Sequence, residues 1–400
     1  MSDPSIQNWS LFQRTTATPP PAAPAPNATW RFTSPGVPGA TARVYYADGR
    51  ARLEKPVILS DGFNSGPSNF DAFWYELNGR EYPFATELRK RGYDVVLLGY
   101  DERSASLLQN AASAKSCILK AIAERSGSAP LVVGGFSMGG IITRLALAEL
   151  EIMHVDHETA LYVSFDSPHR GAWIPISLQA FAHLGGKDSP LSKQINSPAA
   201  RELLWRHISE VNGTPAEDPM RSALRSRLST FGDWPMQPRK IGVANGDGQG
   251  RDNGIPKGSQ KALEVTAGPH KGTTLYTQAS GDALVAKLVK LGVVTEVRTK
   301  NLPEVDRAPG GKLASFGIAA DNLNAQAGTT IATAYHPEIC FVPTISAVSV
   351  LDIDPSNIYS GASVLLDSSD FDDFRCSSKN TMHAQMTAEL GQWILERLNY

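Results

Sequence analysis

From about residue 40 the hydrophobic positions fall into short unbroken runs separated by amphipathic stretches, the pattern of strands alternating with helices. Ala42-Arg43-Val44-Tyr45-Tyr46 and Pro56-Val57-Ile58-Leu59-Ser60 read as strands, and 93–100 and 160–165 as further ones. The stretch 84–91 is helical and closes at Gly92. Leu107, Leu108, Ala111, Ala114, Ile118, Leu119 and Ile122 mark one side of a helix over roughly 104–125. Continuous apolar strands alternating with helices predict a mostly parallel, doubly wound sheet covered on both faces, an α/β architecture. In such sheets the ligand site lies beyond the carboxyl ends of the strands.

The second half is less regular. Residues 172–235 read as mainly helical, including 197–205 and 221–228, and are expected to form a cap or lid insertion over the cleft. The sheet resumes at Arg239-Lys240-Ile241-Gly242-Val243-Ala244. Residues 246–335 mix glycine-rich loops with short alternating strands at 273–277 and 293–297, an irregular antiparallel excursion expected at an edge of the sheet. A helix over 387–395 ends the chain. Residues 1–28 form a proline-rich, disordered tail, leaving 29–400 as one domain.

Composition narrows the function classes. Apolar residues at 42% and charged residues at 20% describe a soluble globular protein, and a net charge of −2 offers no electrostatic reason for nucleic acid or an anionic membrane as partner. No apolar run reaches bilayer length. The first residues lack the basic and apolar regions of a signal peptide, so a cytoplasmic setting is the default, although an exported mature form would read the same. Cys117 reads as a buried helix residue; Cys340 and Cys376 could pair if the chain is exported. No Cys and His spacing suggests a metal site, and no cofactor is implied.

Chemistry enters at Leu131-Val132-Val133-Gly134-Gly135-Phe136-Ser137-Met138-Gly139-Gly140, which a helical stretch follows from Ile141. Strand, Gly-x-Ser-x-Gly and helix together form a nucleophile elbow, a sharp turn that leaves the serine hydroxyl exposed above the sheet. The turn Asp61-Gly62-Phe63 falls at the end of another strand.

On these residues the chain resembles the α/β-hydrolase superfamily, specifically a bacterial-type member of its lipase and esterase branch. The resemblance covers nearly everything after residue 40. It is strongest at the elbow and weakest across 246–335. It implies a serine hydrolase with the chain order Ser, acid, His, in which an imidazole activates the hydroxyl and a carboxylate fixes the imidazole's tautomer. Ser137 takes the first role. His383, just before the final helix, stands where the family carries its histidine; His183, His207, His270 and His336 do not. His169, in Pro168-His169-Arg170-Gly171, lies too early and reads as part of a structural turn.

The acid is contested. The commonest position in the family, after the seventh strand, offers Asp247. The lecithin–cholesterol acyltransferase group delays it to a Gly-Asp-Gly-Thr-Val-Pro motif. Here the comparable segment keeps Val342-Pro343 and Ser346 but has no carboxylate. The pancreatic-lipase type carries the acid after the sixth strand in Leu-Asp-Pro, to which Phe165-Asp166-Ser167-Pro168 is similar. Asp166 is therefore preferred, with Asp247 the alternative and Asp61 a weaker third. The resemblance assigns the oxyanion hole to the backbone N–H groups of Phe63 and Met138, with Asp61 standing where lipases have a histidine.

The expected activity is cleavage of a carboxylic ester, small or lipid-like, through an acyl-enzyme. Trp173, Ile174, Ile176, Leu178, Phe181, Leu203, Leu204 and Trp205 suggest an apolar acyl pocket, and core packing would account for them equally. An acyltransferase would use the same triad. A non-catalytic binding protein of this fold would usually have lost the Ser or the His. The oligomeric state is open.

Overall fold

The computed structural model describes residues 18–78, 81–325 and 330–398. The expected tail falls outside these up to residue 17. Residues 18–27 carry no regular structure and are tied down where Ala23 N–H donates to Asp71.

Eight strands build the central sheet. In chain order they begin with β1 (Ala28–Ser34), β2 (Val37–Tyr45), β3 (Pro56–Ser60), β4 (Asp94–Tyr100), β5 (Leu131–Phe136), β6 (Thr159–Phe165) and β7 (Arg239–Asp247). A second sheet follows, from β8 (Lys261–Ala267), β9 (Thr274–Tyr276), β10 (Gly281–Lys290), β11 (Val293–Leu302) and, after β12 (Gly310–Leu313), β13 (Ile331–Ala334). Then come β14 (Ile339–Pro343) and β15 (Asp373–Ser377), which returns to the first sheet. The central order is β1-β2-β4-β3-β5-β6-β7-β15. It is antiparallel at β1–β2 and β2–β4 and parallel from β4 to β15.

Period-two alternation sorts the side chains onto two faces. Ile58, Val96, Leu98, Val133 and Tyr162 meet α3 (Leu107–Glu124) and α4 (Met138–Ile152). Val57, Leu59, Val95, Leu97, Val132 and Val163 meet α1 (Phe70–Asn78), α2 (Phe84–Lys90) and the C-terminal helix, Ala388–Glu396.

Between β6 and β7 run α5 (Ile176–Leu184), α6 (Pro190–Ile195), α7 (Pro198–Leu203) and α8 (Pro219–Thr230). The helix expected over 197–205 stops at Leu203, because Trp205 N–H donates to Ala172 O and Ala172 N–H to Leu203 O, which draws the chain into a bridge. The excursion does not extend an edge of the central sheet as expected. Its strands pair among themselves as β11-β10-β9-β8-β13, and one face is covered by α5. Trp173, Ile174, Ile176, Leu178, Phe181, Leu204 and Trp205 are all buried in the apolar cluster joining the insertion to this second sheet. Leu203 is buried in the cluster around α3 and α4. Core packing thus accounts for the residues considered as an acyl pocket.

The three cysteines are free and buried, so the possible Cys340–Cys376 pairing is not formed. Among the described residues no helix is long and apolar enough to cross a membrane.

A buried carboxylate pins the joint between insertion and excursion. Asp306 accepts Trp173 Nε1–H at 2.6 Å and Gln278 N–H at 2.7 Å, yet burial outweighs these bonds and pushes its pKa up to about 6. The folded chain therefore holds this proton more tightly than the unfolded one. Its contribution to stability is present below the ordinary aspartate range and is lost as pH rises from about 4 to about 6, on the order of 3 kcal/mol. Urea unfolding across that window should show a decline that Asp306→Asn flattens; parallel profiles for the two proteins would contradict it.

Candidate active site

The elbow exists because two side chains are missing. A Cβ at Gly135 would lie 2.4 Å from the carbonyl carbon of Gly139, and one at Gly139 would lie 2.2 Å from Ser60 O. Only glycine lets β5, the start of α4 and the end of β3 touch backbone to backbone. Ser137 between them takes φ 53° and ψ −124°, an unfavourable conformation for a residue with a side chain, and its N–H donates to Phe165 O at 2.9 Å. Met138 opens α4, so its N–H is among the helix donors lacking an intrahelical acceptor. From the β3 end, Gly62 packs against the serine: a Cβ there would be 3.4 Å from Ser137 Cβ. Phe63 is the next residue.

Asp166 stands beside Ser137. Phe136 and Phe165 are register partners on neighbouring parallel strands, so the next residue on each, Ser137 and Asp166, emerges side by side at the carboxyl end of the sheet. Asp166 also has a positive φ, 50°, and is fully buried. Its Oδ1 accepts Asn245 N–H at 3.0 Å. Its Oδ2 lies 2.6 Å from His383 Nδ1 and 3.4 Å from Ala384 N. An ionised carboxylate only accepts, so Nδ1 carries the proton and Nε2 presents its lone pair. Nε2 is buried and has no hydrogen-bond partner.

The loop carrying His383 follows β15, a short edge strand that sequence patterning does not reveal. Three anchors hold the loop. Lys312 N–H donates to Thr381 O and His383 N–H to Lys312 O, extending β12 across it. Asn245 Nδ2 donates to Thr381 Oγ1 and to Gln385 O. The Phe341 ring meets the imidazole edge to face at 4.8 Å. None of Asn245, Lys312 and Phe341 carried a signal in the sequence, because each acts by position on a strand distant in the chain.

The other candidates are engaged elsewhere. Asp247 is bonded by Arg251 through Nε at 2.9 Å and Nη2 at 2.7 Å, and accepts the N–H groups of Gln249 and Arg251. These bonds outweigh desolvation and hold its carboxyl below the usual range. Asp61 Oδ1 accepts Gly62 N–H, and Oδ2 faces Arg103 Nη1 at 3.6 Å; burial raises its pKa against that arginine. His169 meets Ser164 Oγ at 2.8 Å and packs on Trp234 and Phe371, with burial pushing its pKa well down. Among the described residues no group of His, Cys, Asp and Glu is arranged to hold a metal ion.

The strand order around an antiparallel second strand, with the serine turn leading from the fifth strand into the next helix, decides the architecture. The chain has the α/β-hydrolase fold. No family model and no curated protein matches it. Among solved structures it is similar to the Bacillus licheniformis lipase BlEst2 in mature form, at 14% identity over 57% of this chain and 74% of that one, TM-score 0.34. It is also similar to Est1E from Butyrivibrio proteoclasticus, at 11% over 54% and 77%, TM-score 0.32. A Pyrobaculum calidifontis esterase matches at 13% over 55% and 67%, TM-score 0.34. At these identities and scores the architecture rests on the strand order itself.

Gly311 forms the floor under Asp166: a Cβ there would fall 2.1 Å from its Oδ2. Gly311→Ala must push the carboxylate off His383. The downfield Nδ1–H resonance of His383 should then disappear. An unchanged resonance would show that the cradle is not needed.

Proposed function

We propose that this chain is a serine hydrolase that cleaves carboxylic esters through an acyl-enzyme on Ser137. The observation that carries the reading is the 2.6 Å contact between Asp166 Oδ2 and His383 Nδ1, with Nε2 left free to accept a proton. His383 removes the Ser137 proton as the hydroxyl oxygen attacks the ester carbonyl. Asp166 holds the ring's orientation and stabilises the imidazolium that forms. The N–H groups of Met138 and Phe63 stabilise the oxyanion, each worth on the order of 3 kcal/mol in systems of this kind. Collapse of the tetrahedral intermediate breaks the ester C–O bond, and His383 returns the proton to the departing alcohol. Water then repeats the sequence on the acyl-enzyme, releasing the acid and restoring Ser137. The cycle draws on protein groups and water alone.

Arg251 supports Asp166 over Asp247, since a carboxylate whose Oδ2 takes Nε–H and Nη2–H of one guanidinium edge and whose Oδ1 takes two backbone N–H groups has little left to offer an imidazole. The helical insertion over 172–235, between the sixth and seventh strands, is read as a cap that narrows access to the serine. The substrate class is a small-molecule or lipid-like ester.

A fluorophosphonate probe should label the wild-type protein and fail to label Ser137→Ala; an unlabelled wild type would refute the reading. His383→Ala should lower p-nitrophenyl ester turnover by on the order of 10⁴-fold or more. Asp166→Asn should approach that loss, whereas Asp247→Asn should keep most activity. The reverse pattern in two correctly folded proteins would move the acid to Asp247.

A further inference from the structure

A cleft of about 770 Å³, large enough for a small organic molecule, opens beside α4 and α8 and takes no part in the chemistry above. Five arginines line it: Arg144, Arg170, Arg206, Arg221 and Arg225. Two of them are paired. Arg170 lies 2.9 Å from Asp370 and 3.5 Å from Asp352, and Arg225 lies 3.1 Å from Glu217. Among the described residues, Arg144, Arg206 and Arg221 have no carboxylate within 4.0 Å. The one acid of the cleft not engaged with an arginine side chain is Asp233, which is exposed.

Buried charges are ordinarily paired, because an unpaired one forfeits its hydration without return. Arg144 is 6% exposed and Arg221 5%. Arg144 donates through Nε to Asp233 O, meets His169 Nδ1 through Nη1 and lies on the Trp234 ring, which leaves Nη2 unused. Arg221 donates through Nη1 to Glu202 O and Leu203 O, which leaves Nε and Nη2 unused. Arg170 Nε is buried without a partner. Burial pushes the pKa of Arg221 down to about 10; the charge of Glu217 opposes this, and Arg225 and Arg206 add to it.

We propose that this cleft is a binding site for the phosphate group of a small molecule, held by Arg144, Arg206 and Arg221. The cleft sets five guanidinium groups against four carboxylates, and three of the five have no carboxylate at hand; a phosphate monoester offers negative charge with oxygens enough for several guanidinium edges. The side-chain hydroxyls of Ser226 and Ser229 also line the cleft. Its two indoles, Trp205 and Trp234, already carry Arg206 and Arg144 against their rings, so charge rather than a stacked base is what the cleft reads.

Thermal unfolding and titration calorimetry of the full chain against inorganic phosphate, with sodium chloride matched for ionic strength, test this. Phosphate should bind saturably and raise the melting temperature, and Arg206→Gln and Arg221→Gln should each weaken binding by about tenfold or more. Arg206→Gln should leave p-nitrophenyl ester turnover unchanged; should Arg221→Gln fail to fold, Arg206→Gln carries the comparison. No saturable binding by wild type, or equal binding by both variants, would overturn the proposal. Stabilisation by succinate equal to that by phosphate would overturn the choice of phosphate. Glycerol phosphate and phosphatidylcholine vesicles with a minor share of phosphatidic acid separate the sources: binding of the soluble ester alone supports the recessed small-molecule site, and binding of the vesicles alone overturns it.

Discussion

The structure turns on a contact between backbones that no side chain could survive. Gly135 against Gly139, and Gly139 against the carbonyl of Ser60, bring the ends of two neighbouring strands and the start of a helix together. Ser137 is left in a conformation costing on the order of 1–3 kcal/mol, sustained because the sheet on one side and α4 on the other are packed without slack. The register between β5 and β6 then does the rest. With Phe136 opposite Phe165, a serine ending one strand and an aspartate ending the next have nowhere to go but alongside each other. Both take positive φ, which turns each chain off the sheet at the same height.

Neighbouring parallel strands set Ser137 and Asp166 side by side, but the His383 ring comes from a loop after β15 and must be held against Asp166 by other means. Here that task falls to segments far apart in sequence. β12 and β14 form a ribbon whose Gly311 lies under the Asp166 carboxylate, and whose edge pairs with the loop bearing His383. Val342 and Pro343 belong to this ribbon. The late excursion is thus part of what orients the imidazole.

This division explains what the sequence disclosed. β3 to β7 were legible because central strands buried on both faces must be apolar along their length. The elbow was legible because its geometry admits only small residues at set positions. β1 and β15 sit at the sheet's edges, where one face or one end meets water, and their sequences, Ala-Thr-Trp-Arg-Phe-Thr-Ser and Asp-Phe-Arg-Cys-Ser, keep no continuous apolar run. The second sheet did show its alternation, but alternation alone does not say which sheet a strand will join. His383 could be named from its place before the last helix. The contact that sets Asp247 apart from Asp166 is one that no local pattern contains: Arg251, four residues on, folds back onto Asp247.

Ionic partners also separate two places in the molecule. Around Asp166 a single buried carboxylate is matched by donors aimed at it, Asn245 N–H and the His383 ring, and the nearby Phe341 and Gly311 admit little else. Such a site is preorganised: its charge is already stabilised and one ring nitrogen stays available. Around Arg144 and Arg221 the balance is reversed, with buried cations whose remaining donors outnumber the acceptors within reach. The first arrangement is complete in the protein alone. The second leaves guanidinium donors unanswered, the observation on which an anion site is proposed, so the same rule, that buried charge must be answered, bears on both places.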